Sequence, residues 1–111
     1  FSSVAAQKGF TNPTIIASAK AAIEGLTVTL AAEFSPSIRV NCIAPSLTDS
    51  KISQSMLKSE VVADALAKAH PLKRLGEGKD SASIAKFLLS EESSWITGQI
   101  IGVDGGRSTL S

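Results

Sequence analysis

The order of helical and extended patterns predicts an α/β fold in which helices pack on a parallel sheet, as one unit over residues 1–111. Three observations carry this. Proline and glycine divide the chain into short segments whose apolar period switches between helix and strand. The resulting order is helix, strand, helix, helix, strand, and strands separated by helices of this length pair in parallel. With 111 residues, 43% hydrophobic and 19% charged, the chain has room for one hydrophobic core and not for two.

The first helix starts at Asn12-Pro13, an N-cap followed by a proline at the first helical position, and ends at about Phe34, because Pro36 cannot continue it. Ile16, Ala19, Ile23, Leu26, Leu30 and Phe34 recur at steps of three and four, which predicts one buried stripe. Ser18, Ala21, Ala22, Gly25, Thr29 and Ala32 form a second, small-residue stripe that another helix could approach closely. Ile38-Arg39-Val40-Asn41-Cys42-Ile43, between Pro36 and Pro45, predicts a strand. A helix follows over about Ser59–Ala69, with Val62, Leu66 and Ala69 on one side. The next covers about Asp80–Ser90, capped by Asp80 and buried through Ile84, Phe87 and Leu88. Gln99–Val103, ahead of Asp104-Gly105-Gly106, predicts the second strand. Trp95 is expected to anchor that strand by packing, and Gly76, Gly78, Gly105 and Gly106 to serve turns.

Eleven Lys plus Arg against ten Asp plus Glu give a net charge of +1 with no basic cluster, which argues against a nucleic-acid partner. Unbroken apolar runs fall far short of the roughly 20 residues that span a bilayer, so no membrane association is expected. One cysteine, Cys42, allows no intrachain disulfide, and with the single His70 it offers no metal constellation. These counts point to a reducing, cytoplasmic setting. The chain begins at Phe1 rather than Met, which points to a start elsewhere in a longer protein.

Five segments, in order and over nearly the whole chain, resemble the short-chain dehydrogenase/reductase family. They are Ser2-Ser3-Val4-Ala5, the run from Ser18 through Lys20 to Leu26, Ile38 through Pro45, Pro71-Leu72-Lys73-Arg74-Leu75-Gly76, and Ile96-Thr97-Gly98-Gln99 through Val103-Asp104-Gly105-Gly106. The resemblance implies the C-terminal half of a Rossmann-type fold, a doubly wound parallel sheet, from an NAD(P)-dependent oxidoreductase. The glycine-rich turn that seats the cofactor pyrophosphate belongs to the other half, and no G-x-G-x-x-G occurs here.

By the same resemblance, Ser3 is the catalytic serine that hydrogen-bonds the substrate oxygen. Lys20 is the lysine that binds the nicotinamide ribose and depresses the pKa of a tyrosine one helical turn earlier. That tyrosine's position is Ile16, and the chain contains no Tyr at all, so the general acid is absent. Pro45, Ser46, Thr48 and Ser50 fall on the nicotinamide-contacting loop, with Ser46 in place of the usual glycine. Lys51 to His70 matches the segment that sets substrate identity, here an apolar lid with Ile52, Met56, Leu57, Val61 and Val62.

The expected function is thus an oxidoreductase homologue that cannot transfer hydride alone and that binds NAD(P) weakly or not at all alone. The alternative is a non-catalytic module that associates with a second copy, or with a missing N-terminal half, through the helix Pro13 to Phe34. A Ser/His70/Asp hydrolase is a third reading, without a G-x-S-x-G elbow to support it. The plainer expectations are Ile16 as core filler, Lys20 as a solvated or ion-paired lysine, Ser3 as part of a disordered end, and His70 as a surface side chain in a loop.

Overall fold

The computed structural model describes residues 1–11 and 13–110; the expected cap at Asn12 lies outside them. A 3-10 turn at Val4–Ala6 leads into α1 (Thr14–Phe34), β1 (Cys42–Pro45), α2 (Glu60–Lys68), α3 (Gly78–Leu88), a second 3-10 turn at Glu91–Ser93, and β2 (Ile100–Val103). The two strands pair in parallel, with Cys42 opposite Ile100 and Pro45 opposite Val103. The predicted α/β class and parallel pairing hold.

The core centres on β1, where Cys42, Ile43 and Ala44 are buried together with Val4 and Ala31. The first strand is later and shorter than its apolar run suggested. Residues 38–41 are held by side chains and by single backbone bonds, among them Gly98 N donating to the Val40 carbonyl at 2.7 Å, instead of a continuous ladder. Asn41 Nδ2 donates to the Ile96 carbonyl at 2.9 Å, its Oδ1 accepts from Gln99 N at 3.1 Å, and Val40 N donates to Thr97 Oγ1 at 3.1 Å. Arg39 Nη2 donates to the Leu88 carbonyl at 2.9 Å, one of the carbonyls at the end of α3 that lack a helical partner.

The buried face of α1 is not the predicted one. Ile16, Leu26 and Phe34 are exposed, while Thr27 and Ala31 are buried and Ala17, Lys20 and Glu24 half-buried. Each of these five follows a member of the expected stripe by one residue, a rotation of about 100°. Polar anchoring sets the angle. Ser2 Oγ donates to the Lys20 carbonyl at 3.1 Å and to Glu24 Oε1 at 2.7 Å, and Gln7 Nε2 donates to the same oxygen at 3.1 Å. Close approach of Gly98, where an added Cβ would lie 3.5 Å from Ala31 Cβ, requires small residues on that side. The small stripe Ser18, Ala21, Ala22, Gly25, Thr29 and Ala32 is exposed throughout. By length and composition alone α1 could cross a bilayer, although its unbroken apolar runs are short. Its polar face is engaged with the Ser2–Gln7 segment.

Helices α2 and α3 lie close to their predicted spans. Pro13 is the N-cap of α1 rather than its first residue, and α3 is capped by Glu77 rather than Asp80. Asp80 sits at the third helical position, where Oδ2 accepts the Glu77 N–H at 2.8 Å to complete a capping box. Trp95 is fully exposed, so it anchors nothing within the chain. Ser93 does, wholly buried, its hydroxyl 3.0 Å from the carbonyls of both Leu88 and Ser90.

Candidate active-site cleft

Beyond β1 the chain runs out of the sheet and crosses toward α3. Ser46 N still donates to Val103 O at 3.2 Å, then Thr48 bridges to Gly76, with Gly76 N donating to Leu47 O at 3.0 Å and Asp49 N to Gly76 O at 2.9 Å. A Cβ on Gly76 would fall 2.9 Å from Thr48 Oγ1, so this glycine permits a close backbone approach rather than a turn. Gly105 and Gly106 do serve a turn, both with positive φ. The Asp104 carboxylate organises it, with Oδ1 taking the Gly106 N–H at 2.9 Å and Oδ2 taking the Ser108 N–H at 2.9 Å and the Ser108 hydroxyl. Partial burial alone would raise the Asp104 pKa; these bonds outweigh it, and the carboxyl titrates below its ordinary value.

Between the first 3-10 turn, the start of α1, the loop after β1 and the segment before α2 lies a cleft of about 700 Å³. Ser3, Ile16, Pro45, Ser46, Thr48 and Ser50 all line it. Residues drawn together on the strength of motifs alone therefore share one cavity wall. Of the apolar residues expected in a lid, Ile52 and Met56 line the cleft, joined by Leu66, while Leu57, Val61 and Val62 do not. Ile16 is not core filler: it is 58% exposed and faces this cleft.

The polar groups have defined partners. Ser3 is the N-cap of the 3-10 turn, its Oγ accepting from Ala5 N at 3.2 Å, so the hydroxyl proton remains to be donated. It is ordered rather than frayed. Lys20 Nζ donates to the Phe1 carbonyl at 3.1 Å, and Lys20 is not among the residues lining the cleft. Thr48 Oγ1 donates to Ser46 O at 3.0 Å, and Ser50 Oγ lies 3.3 Å from Ser53 Oγ.

His70 departs most from expectation. It is 3% exposed, just past the end of α2, and lines the cleft. Nδ1 lies 2.8 Å from the Leu66 carbonyl, which can only accept, so Nδ1 carries a proton, and Nε2 is hydrogen-bonded to Ser46 Oγ at 2.8 Å. Helix geometry explains the burial: the ring folds back over the last turn of α2 onto the loop that follows β1. The partner on Nδ1 is a carbonyl and not a carboxylate, and the serine is Ser46 and not Ser3, so no Ser/His/Asp relay is assembled around His70.

The chain matches, over residues 1–108, the family described as enoyl-(acyl carrier protein) reductase. It is 46% identical over 109 residues to an uncharacterized short-chain type dehydrogenase/reductase of Sinorhizobium fredii, covering 95% of this chain and 42% of that protein. The chain belongs to the short-chain dehydrogenase/reductase family. A 3-oxoacyl-[acyl-carrier-protein] reductase of Chlamydia trachomatis is 41% identical over 111 residues, covering 96% of this chain and 43% of the relative. Among solved structures, ligand-free aldohexose dehydrogenase of Thermoplasma acidophilum aligns with a TM-score of 0.92 at 30% identity, over 99% of this chain and 47% of its own. Gluconate 5-dehydrogenase of Burkholderia cenocepacia, in complex with NADP and tartrate, aligns with a TM-score of 0.92 at 26% identity, over 99% and 44%. The chain thus spans less than half the length of these short-chain dehydrogenase/reductase relatives, and its two-stranded sheet is part of their Rossmann fold.

Two cleft residues, Phe10 and Arg107, had no signal in the sequence. They lie near opposite ends of the chain, and no motif of the short-chain dehydrogenase/reductase family marked them in advance.

Proposed function

We propose that the chain is the nicotinamide- and substrate-facing half of an NAD(P)-dependent oxidoreductase, and that by itself it transfers no hydride. The observation that carries this is Ile16 in the wall of the cleft that Ser3 also lines, at the position where the family has its proton-donating tyrosine. When bound, a nicotinamide dinucleotide supplies or accepts the hydride. Pro45, Ser46, Thr48 and Ser50 fit its nicotinamide end, since they line the cleft together, while no glycine-rich cradle for the pyrophosphate is present among the 111 residues. Ser3 would orient a substrate carbonyl by donating to its oxygen. The one imidazole in the cleft, His70, is hydrogen-bonded to Ser46 at 2.8 Å and not to Ser3.

The decisive test is stopped-flow and steady-state assay of the chain with NADH and NADPH against small ketones. No cofactor oxidation above the uncatalysed rate is expected, and turnover would overturn the reading. Isothermal titration should find weak dinucleotide binding, because contacts to one end rarely offset the cost of immobilising the whole molecule. The same reading includes association through α1, with a second copy or with an N-terminal half, and a reducing cytoplasmic setting in which the buried Cys42 stays a free thiol.

A further inference from the structure

We infer that Ser46 is a nucleophile activated by His70, and that the cleft takes esters with a short aliphatic acyl group. No dinucleotide takes part, so this activity goes beyond the oxidoreductase reading and does not rest on it. Ser46 Oγ lies 2.8 Å from His70 Nε2 in the cleft wall, with Ser46 half-buried and His70 3% exposed. The backbone fixes both partners. Ser46 N donates to the Val103 carbonyl at 3.2 Å, and the Ser46 carbonyl accepts from Thr48 Oγ1 at 3.0 Å. His70 N donates to the Ala67 carbonyl at 3.0 Å, while the His70 carbonyl accepts from Lys73 N at 2.9 Å. Gly105 closes on the ring: an added Cβ would lie 3.6 Å from His70 Cβ and 3.8 Å from Cδ2.

The Leu66 carbonyl, 2.8 Å from Nδ1, stands where a carboxylate would complete a triad, and it keeps a proton on that nitrogen. A neutral ring so held has its lone pair on Nε2, the nitrogen that meets the Ser46 hydroxyl. In acyl transfer Ser46 Oγ bonds to the ester carbonyl carbon as its proton passes to Nε2. The bond from that carbon to the leaving oxygen then breaks, the proton passes from Nε2 to that oxygen, and an acyl ester of Ser46 remains. Water repeats the sequence and releases the acid. Ser3 lines the same cleft with a hydroxyl proton to donate, which is what the oxygen that turns negative requires. Ile16, Ile52, Met56 and Leu66 supply the apolar wall that an aliphatic acyl chain covers.

The test treats the folded chain with p-nitrophenyl N-butylcarbamate, which leaves a stable carbamoyl ester on an activated serine as p-nitrophenol departs. One butylcarbamoyl group should appear in the intact mass, and peptide mapping should place it on Ser46. His70→Gln keeps a polar side chain but has no basic nitrogen, and it should slow that labelling at least about 100-fold. Ser46→Ala should abolish it. No label on the folded chain, a label on Ser3 or on a lysine in place of Ser46, or an undiminished rate in His70→Gln would each overturn the inference. Should His70→Gln fail to fold, the unsubstituted chain in urea replaces it: unfolding separates the two residues, and labelling of Ser46 must stop. Cofactor oxidation plays no part in these readouts, so they succeed or fail apart from the hydride assay above.

Discussion

At the scale of single residues, exchange of one side chain changes what the cleft can do. Ile16→Tyr puts a phenol into the cleft one turn from Lys20, yet the chain should still show no reductase activity on its own, because nothing positions a dinucleotide against it. Ketone reduction at the expense of NADPH by the substituted chain alone would contradict this. His70 poses a different demand: it is buried, and Ser46 is the hydrogen-bond partner of its Nε2. Ser46→Ala leaves Nε2 without that bond and should cost about 1–3 kcal/mol in urea unfolding. At Gly106, with φ of +83°, an alanine Cβ would stand 3.0 Å from Leu110 Cδ1 and 3.1 Å from Pro71 Cγ. Gly106→Ala should therefore destabilise by about 1–3 kcal/mol in the same measurement, as strain at a left-handed position does.

At the scale of the element, the start of α3 is held by charge. Arg74 grips Asp80 with both terminal nitrogens, at 2.7 and 2.9 Å, while the Asp80 carboxylate accepts the Glu77 N–H. Those bonds, the Arg74 pairing first, lower the Asp80 pKa to about 2. A carboxyl with a depressed folded pKa stabilises the fold fully above its ordinary value near 3.8 and ceases to do so as pH falls toward 2. Amide exchange at Glu77, Lys79 and Asp80 should accordingly accelerate between pH 4 and pH 2, beyond the intrinsic change of the rate. In Asp80→Asn, which removes the titrating group, that extra acceleration should be absent. The pair is solvent-exposed, so added salt should weaken its contribution.

At the scale of the whole molecule, α1 sets the behaviour. It shows water both the small stripe around Gly25 and the large residues Ile16, Leu26, Val28 and Phe34, an apolar expanse that a two-stranded sheet leaves uncovered. Each 100 Å² of such surface removed from water is worth about 2.5 kcal/mol. The chain should associate at micromolar concentration, and light scattering should give a mass well above 11.5 kDa. Gly25→Glu should return it to a monomer. A Cβ at Gly25 meets nothing within 4 Å, so the substitution disturbs no packing inside the chain, and glutamate favours helix over glycine. A folded monomer without any substitution would contradict the expectation.

How far the sequence could be read depended on the range of the forces involved. Parallel pairing followed from the order of strands and helices, and the shared cleft lining of Ser3, Ile16, Pro45, Ser46, Thr48 and Ser50 followed from the family resemblance. Helix limits were legible because they rest on local signals, prolines at helix ends and apolar period. The buried face of α1 was not, since apolar periodicity named the 16-19-23-26-30 stripe while hydrogen bonds from Ser2 and Gln7 to Lys20 and Glu24 turned the neighbouring face inward. His70 and Arg107 were out of reach for the same reason. A histidine before a proline and an arginine after two glycines look like loop residues along the chain. Only tertiary packing sets one beneath Ser46 and the other against Phe10, because side-chain burial and pairing between distant segments depend on where the backbone carries them, which local pattern does not encode.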